Sequence, residues 1–579
     1  MPFKGNTDMS EEIIRTQARK FALQNAVQFE GKANPKAVIG KCIAILKSEG
    51  YAPKEIIPIV NQVISEVNSL PLQAQLQELK QIAPELLQKE KKERDFTLPD
   101  LPHAEKGKVI TRFPPEPNGY LHIGHAKAAI IDSTYATMYE GSFVLRFDDT
   151  NPENALDQFY EAQKEDLRWL DLSWDEEYCT SDHLQQHYQL AEQLISQSDA
   201  YICNCAGETI KEGRYNKHPC DCTKRSAGEH LDAWKQLLQE DRSGILRLKA
   251  DMQSDNTAMR DPTLFRVIEK EHPRQGTKYR VWPTYDFAGA VEDSIGGITH
   301  PFRTKEYELR DEVYFYLLDR LNLRRPHLME FARLNIEGMP VSKRKIKPLI
   351  DQGLAEGFHD FRLPTLRGLR RRGIVAEGIR QFVFSQGISK VESTVDFSIV
   401  ESFNRKVIDP LVKRYFFVPN PIKLIVEDAS PQKALLKNHP TQDMGTRTLP
   451  TASTFYIRSD DVIELREGDL FRLKELYNVT ITEKNDTTIK ANYAGTELVD
   501  RSLKLQWTTE DYLPLTLIIP GTILDASGAY NPDSLSRIHG FAEPAVADLA
   551  DGEIVQFERV GFARIERQHE ELCAIFTHK

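Results

Sequence analysis

The sequence predicts an α/β protein with a parallel-sheet core, a helical N-terminal appendage, a second helical segment and a C-terminal β-barrel region. Three observations predict it. From Lys108 onward, KVITRF reads as a strand, PPEPNG as a turn-rich loop, LHIGHAKAAIIDSTYATMYEG as a helix and FVLRF as a strand. That order is a βαβ unit, which implies parallel pairing. Before it, apolar residues recur at helical spacing. Beyond Phe416 they fall into short runs separated by turn signals.

The elements follow in chain order. Between about Asp8 and Leu87 the chain is helical: Ile14, Ala18, Phe21 and Ala22 keep helix spacing, and Gly31 is a stop. Ile56, Val60, Val63 and Val67 mark another helix on the same small core. LLQKEKKERDFTLPDLPHAEKG is charged and proline-bearing and reads as a linker. Mixed segments follow the βαβ unit to Leu323. From Asp351 to Tyr415 the chain turns helical again, around the basic run RLPTLRGLRRRGI. IKLIVED, STFYIR, NVTITEKNDTTIKANYA, PLTLIIPGTIL and EIVQFERVGFARI are strand-like, and Asn485-Asp486 signals a hairpin. One barrel or a pair of them accounts for this tail.

A chain of 579 residues needs several domains. Its 40% hydrophobic and 28% charged residues exclude the disordered and fibrous classes. No apolar run reaches the roughly 18 residues that span a bilayer, and residues 1–20 lack a secretory pattern. A cytoplasmic location and no membrane partner are therefore expected. The formal charge of −11 does not exclude RNA, because phosphate binding depends on local basic surface. Seven cysteines, four of them between Cys203 and Cys222, do not form a disulfide framework in such a chain.

Two strings carry chemistry. In PPEPNGYLHIGH, prolines and Gly119 hold a loop that ends at a helix N-terminus. His122 and His125, three apart, share one side of the first turn. Helix N-termini attract phosphate, and two imidazoles there can donate hydrogen bonds to phosphate oxygens as charge builds up. An arbitrary H-x-x-H more often caps a buried helix; the strand–loop–helix setting favours the chemical reading. GMPVSKRKIKPLI places Ser342, Lys343, Arg344 and Lys345 in a small cationic loop, which alone would be a solvated basic turn.

Together these strings resemble the two signature motifs of class I aminoacyl-tRNA synthetases. HIGH matches in full at His122–His125, and the KMSKS loop stands here as PVSKR. Pro340 replaces its first lysine and Arg344 its last serine, whereas Lys343, the lysine that handles phosphate in the family, is present. TRFPPEPNGYLHIGHAK, LRFDDTNPE, YDF, GITH, VSKRK, LRRRG and GFAEPAVADL resemble, in order, the glutaminyl and the archaeal/eukaryotic-type glutamyl enzymes. The likeness covers nearly all of the chain from Lys108 on. The N-terminal helices resemble the appendage of archaeal glutamyl enzymes less specifically.

The resemblance implies a Rossmann-type parallel-sheet catalytic core, a helical tRNA-contact subdomain and a β-barrel region that reads the anticodon. It divides the chain into a helical N-terminal appendage (1–92), the first half of the core (93–200) and an acceptor-end-binding insertion (201–280). The second half of the core with the VSKRK loop (281–350), the tRNA-contact subdomain (351–415) and the anticodon-binding region (416–579) follow. It places ATP on Pro115, Glu116, Pro117, Asn118, Gly119, His122, Gly124, His125, Ser342 and Lys343, with His122, His125 and Lys343 catalytic. Arg112, Asp148 and Tyr285 fall where this branch contacts the amino acid, Asp148 being suited to the ammonium group.

Arg303, three residues after His300, stands where glutamyl enzymes read the side-chain carboxylate and glutaminyl enzymes usually carry an uncharged residue. A buried guanidinium pairs a carboxylate well and an amide poorly, which favours glutamate. The other reading of Arg303 is an arginine in a surface ion pair. The implied reaction attaches glutamate to tRNA(Glu) with ATP and Mg²⁺, first as glutamyl-adenylate and then on the 2′-hydroxyl of the terminal adenosine. Charging of tRNA(Gln) as well stays open. The nearest rival is a glutamine-specific enzyme. A non-catalytic RNA-binding relative would not need His122, His125 and Lys343, and a tRNA-modifying transferase would lack the long tail.

Cys203 and Cys205, with Cys220 and Cys222, make two C-x-C pairs that suit a structural zinc, His218 being a substitute ligand; four reduced thiols are the alternative. Arg362, Arg367, Arg370, Arg371 and Arg372 are expected on tRNA phosphates or on a solvated helix face. The N-terminal helices would meet tRNA or another protein.

Overall fold

In a computed structural model, the described residues of the first unit, Met1–Asp95, form four α-helices and a short 3-10 turn, Pro84–Leu87. The α-helices are α1 (Asn6–Gln28), α2 (Pro35–Leu46), α3 (Pro53–Asn68) and α4 (Leu72–Ile82). The described residues are 6–29, 31–46, 51–87, 98–239, 242–500, 502–568 and 571–579. The middle of the expected linker, 88–97, lies outside them. Ile14, Ala18 and Ala22 of α1 are buried against Ile56, Val60, Val63 and Val67 of α3, the positions marked by helical spacing. Gly31 follows α1 at φ +97°, where a side chain would be strained, and its N–H bonds Ala26 O at 2.8 Å.

The second unit, Phe96–Lys579, is built on a parallel sheet. Strand β1 (Ile110–Phe113) leads through α5 (Ile123–Met138) to β2 (Ser142–Phe147), then through α6 (Asp157–Trp169) to β3 (Glu176–Cys179). The order is β1-β2-β3, with Arg112 opposite Val144 and Arg146 opposite Tyr178. Helix α5 buries Ala126, Ile130, Ile131 and Tyr135, so it is enclosed on several faces. The turn from α5 into β2 needs Gly141, because a Cβ there would lie 1.9 Å from Val109 O. On the far side of β1, Thr299 N donates to Ile110 O at 2.9 Å and brings in Phe302–Thr304, itself parallel to Met329–Phe331.

An antiparallel sheet of Ala200–Cys203, Ile245–Leu248, Thr263–Val267 and Val281–Pro283 interrupts this core. After it come helices Leu366–Arg372, Ala376–Gln386 and Phe397–Ile408, whose Leu369, Phe382 and Val400 join one apolar core with Ile130 of α5. The tail forms two seven-stranded sheets, each around its own core. Asn478–Lys484 and Thr488–Tyr493 pair as a hairpin, and Asn485 Oδ1 accepts from Thr487 N and Thr488 N at 3.1 and 2.9 Å. No described helix is long and apolar enough to cross a membrane.

Candidate active site

The two histidines meet as a reciprocal cap. His122 precedes the first turn of α5, and its Nδ1 accepts from Gly124 N at 3.0 Å and His125 N at 3.4 Å. His125 Nδ1 accepts from His122 N at 3.2 Å, and the rings stack at 3.8 Å. Burial, with the charge of Arg333 beyond it, brings His125 down to about 4. Burial, the neighbouring His125 and Arg333 hold His122 well below the usual histidine range. Both rings are thus neutral at pH 7, and because each Nδ1 accepts, each proton sits on Nε2. The pair presents two N–H donors without adding charge. Gly124 makes room for this, since a Cβ there would lie 2.9 Å from His122 Cε1.

Backbone bonds fix the loop before the cap. Asp148 N donates to Pro115 O and Leu156 N to Pro117 O, both at 3.0 Å. Gln163 of α6 donates its amide to Glu116 O at 3.0 Å and Gly119 O at 2.8 Å. Asn154 Nδ2 donates to the Glu116 carboxylate at 3.2 Å, and burial holds that carboxyl above its usual range. The second string arrives at the same loop: Lys343 Nζ donates to the Asn118 carbonyl and stands 5.6 Å over the Phe159 ring. Lys343 opens the helix Lys343–Asp351, anchored by buried Ile346 and Leu349, and Ser342 precedes it. Three cations, Lys343, Arg344 and Lys345, thus crowd the positive end of a helix with no acid in its first turn. The helix dipole disfavours them there, which leaves an anion as the natural partner.

Beside the loop, Arg112, Tyr285 and Arg303 line one small pocket together with Asp286, Asp293 and Arg310. Arg112 is buried and donates to both oxygens of Asp293, at 3.0 and 3.2 Å, and to Phe302 O at 2.6 Å. Asp293 also accepts from Arg146 Nη1 at 2.8 Å and from the Tyr314 hydroxyl at 3.1 Å. Burial alone would raise this carboxyl, but Arg112 and Arg146 hold it below its usual range. Asp148 stands next to Arg146, the neighbour of Asp293. It does not line this pocket; it accepts from Arg146 Nε at 2.8 Å and from Thr180 Oγ1 at 3.0 Å. Asp286 and Asp293 are the acids at the lining, and sequence reasoning missed both. For Asp293 the signal was spacing: Tyr285, Gly289 and Asp293 fall four apart on the helix Tyr285–Ile295.

The basic run divides by burial. Arg370 is exposed, and Arg367 is partly so, stacking 4.4 Å over Tyr120 and bonding Glu165 at 2.8 Å. Arg371 instead donates to Glu566 at 2.7 Å, and Arg372, 5% exposed, pairs Glu401 at 2.5 Å. Arg362, equally buried, bonds Asp360 at 2.7 Å and Ser534 Oγ at 3.0 Å. These three face protein partners, because the segment is wedged against the C-terminal sheets.

The four clustered cysteines converge. Their sulfurs all lie within 4.8 Å of one another, with Cys203–Cys220 and Cys205–Cys222 each at 3.7 Å. Tetrahedral zinc at about 2.3 Å from each sulfur puts neighbouring sulfurs about 3.8 Å apart, so the set fits that ion. His218 is not part of the group.

Comparison with known proteins agrees with this geometry. The model of the catalytic domain of "tRNA synthetases class I (E and Q)" matches residues 108–410. The anti-codon binding domain models of the same class match residues 412–494 and 505–566. The chain is 40% identical to a glutamate–tRNA ligase of Cenarchaeum symbiosum over 98% of this chain and 99% of that one. It is 41% identical to that of Nitrosopumilus maritimus over 98% and 100%. With that of Pyrococcus furiosus it shares 40% identity over 98% and 100%. A loop that gathers two neutral histidines and a lysine, and matches that span both chains, place this protein in the glutamate–tRNA ligase family of class I synthetases.

Proposed function

We propose that this chain activates L-glutamate with ATP and transfers it to tRNA(Glu). The observation that carries the reading is the meeting of His122, His125 and Lys343 around the loop 114–119, beside a pocket lined by Arg112 and Arg303. The α-carboxylate of glutamate is ionised at neutral pH and needs no protein base. One of its oxygens attacks the α-phosphorus of ATP, the P–O bond to the β-phosphate breaks, and pyrophosphate leaves with the electron pair. Catalysis is then positioning and charge stabilisation. The Nε2–H groups of His122 and His125 meet the phosphate oxygens from one side and Lys343 from the other. Pro115, Glu116, Pro117, Asn118, Gly119, Gly124 and Ser342 shape the ATP cradle. Mg²⁺ enters with ATP, whose phosphate charge it offsets.

Arg303 reads the side-chain carboxylate. The ammonium group is met by acid at the Arg112 end, from Asp148 or from Asp293 at the pocket lining. The 2′-hydroxyl of the terminal adenosine then attacks the adenylate carbonyl, the bond from that carbonyl to the phosphate oxygen breaks, and AMP leaves with the hydroxyl's proton passing to its phosphate. Exposed Arg370 and half-exposed Arg367 take tRNA phosphates, and residues 416–579 meet the anticodon limb. The N-terminal helices contact tRNA or a partner protein, and the enzyme works in the cytoplasm. ATP-dependent attachment of glutamate to purified tRNA(Glu) and tRNA(Gln) tests the reading. Glutamate on tRNA(Glu) is expected, and its appearance on tRNA(Gln) too would define a non-discriminating enzyme. No attachment to either would reject it.

Two further results follow. Gly124→Ala forces His122 off its place, and a displacement near 1 Å costs on the order of 10²-fold in adenylate formation. A rate within twofold of the parent would mean that the ring tolerates the methyl group. The cysteine set would hold a structural zinc, clasping the two C-x-C turns. About one zinc per chain is expected in purified protein. Metal analysis finding well under that would leave four reduced thiols.

A further inference from the structure

Arg303 is 7% exposed and faces two carboxylates of its own chain. Asp311 is in ion-pair contact with its Nη2, and Glu330 lies 3.7 Å from its Nε. With Lys390 on Glu330, the charge of Arg303 is already matched by Asp311, so a further carboxylate, brought by substrate, would compete for the same guanidinium. One of the two must yield. Glu330 is held: its side chain is 3% exposed and it accepts from Lys390 Nζ at 2.9 Å. Asp311 is the less enclosed of the two, with a side chain 33% exposed at the first residue of the helix Asp311–Leu321. Tyr314, in the same helix, lies 5.4 Å from the guanidinium carbon and keeps Arg303 in place when its partner leaves.

We propose that Asp311 is a built-in occupant of the side-chain end of the amino-acid pocket, displaced when the γ-carboxylate of glutamate pairs with Arg303. This rests on the reading of Arg303 given above. It makes Asp311 a specificity determinant. Glutamate exchanges one carboxylate for another, so the ion pair is restored after Asp311 turns to solvent. Glutamine offers an amide, whose NH₂ would face a cation, so Asp311 keeps the position. The ion pair of Arg310 with Asp286, which lines the same pocket as Arg303, sits next in sequence to Asp311.

The test uses the full chain and steady-state attachment to tRNA(Glu) at varied glutamate. Asp311→Asn removes the competing charge and keeps the size. KM for glutamate is expected to fall roughly five- to tenfold, as for a pocket freed of an occupant present in most molecules. The gain sits in KM, with kcat changing less, and glutamine becomes a better inhibitor. Asp311→Glu, which restores a carboxylate, returns KM toward the parent. Asp311→Ser, a good residue for a helix start, gives the same fall should the Asn variant fail to fold. A KM unchanged or raised in both neutral variants overturns the proposal. Arg303→Gln separates the two layers. If KM for glutamate rises there while Asp311→Asn changes nothing, only the occupant is rejected. If KM in Arg303→Gln stays parental, the reading of Arg303 falls and the proposal with it.

Discussion

Lys343→Ala is expected to slow glutamyl-adenylate formation on the order of 10²–10³-fold while leaving the fold intact. The fold should survive because Lys343 is exposed and its ammonium meets the Asn118 carbonyl and the face of Phe159 rather than the core. The packing of that helix rests on Ile346 and Leu349, which the change leaves alone. Stability could even rise slightly, since a cation leaves the positive end of the helix. The rate should fall because the charge developing on the departing pyrophosphate loses the ammonium that faces it across the loop from the neutral Nε2–H donors of His122 and His125. Single-turnover adenylate formation reads the effect. A rate within a few-fold of the parent, in a protein of unchanged melting temperature, would remove Lys343 from the chemistry.

The second large effect concerns stability. Asp293→Ala leaves Arg112 and Arg146 buried with their shared carboxylate gone. Breaking a buried ion pair by removing one partner costs roughly 3–5 kcal/mol, because the remaining charge is uncompensated. Here two guanidiniums lose one partner, although Arg146 keeps Asp148 at 2.8 Å and Arg112 keeps Phe302 O at 2.6 Å. Thermal unfolding should show an earlier transition for the catalytic part, and glutamate affinity should fall with it as Arg112 loses its fixed position. Asp293→Asn, which keeps the shape and one acceptor, is expected to lie between. An unshifted transition in Asp293→Ala would show that the network carries no stability.

What the sequence made legible was what local pattern encodes. The βαβ unit from Ile110 to Phe147, the core face of α3 and the hairpin at Asn485 were readable because periodicity and turn chemistry act over a few residues. The pair Gln432–Lys437 and Thr446–Thr451 was not, because most of its residues are exposed, apolar Leu435 among them, so no buried apolar run marks it. Side-chain direction was also hidden. Nothing local distinguishes exposed Arg370 from buried Arg372, whose partners Glu401 and Thr577 O come from distant parts of the chain. Asp293 escaped for the same reason: it meets Arg112 across 181 residues. The neutral state of the two histidines needed the fold as well, since it follows from burial and from the cap each makes for the other.

The central claim is that this pocket selects glutamate by its side-chain carboxylate and that the site activates its α-carboxylate with ATP for tRNA. It is tested most directly by offering glutamate and glutamine separately, with ATP, Mg²⁺ and both tRNA(Glu) and tRNA(Gln), and measuring kcat/KM for each amino acid. The account predicts efficient attachment of glutamate and attachment of glutamine lower by roughly 10⁴-fold, the rejection a buried, charge-reading site can reach. Efficient attachment of glutamine to tRNA(Gln) would contradict it.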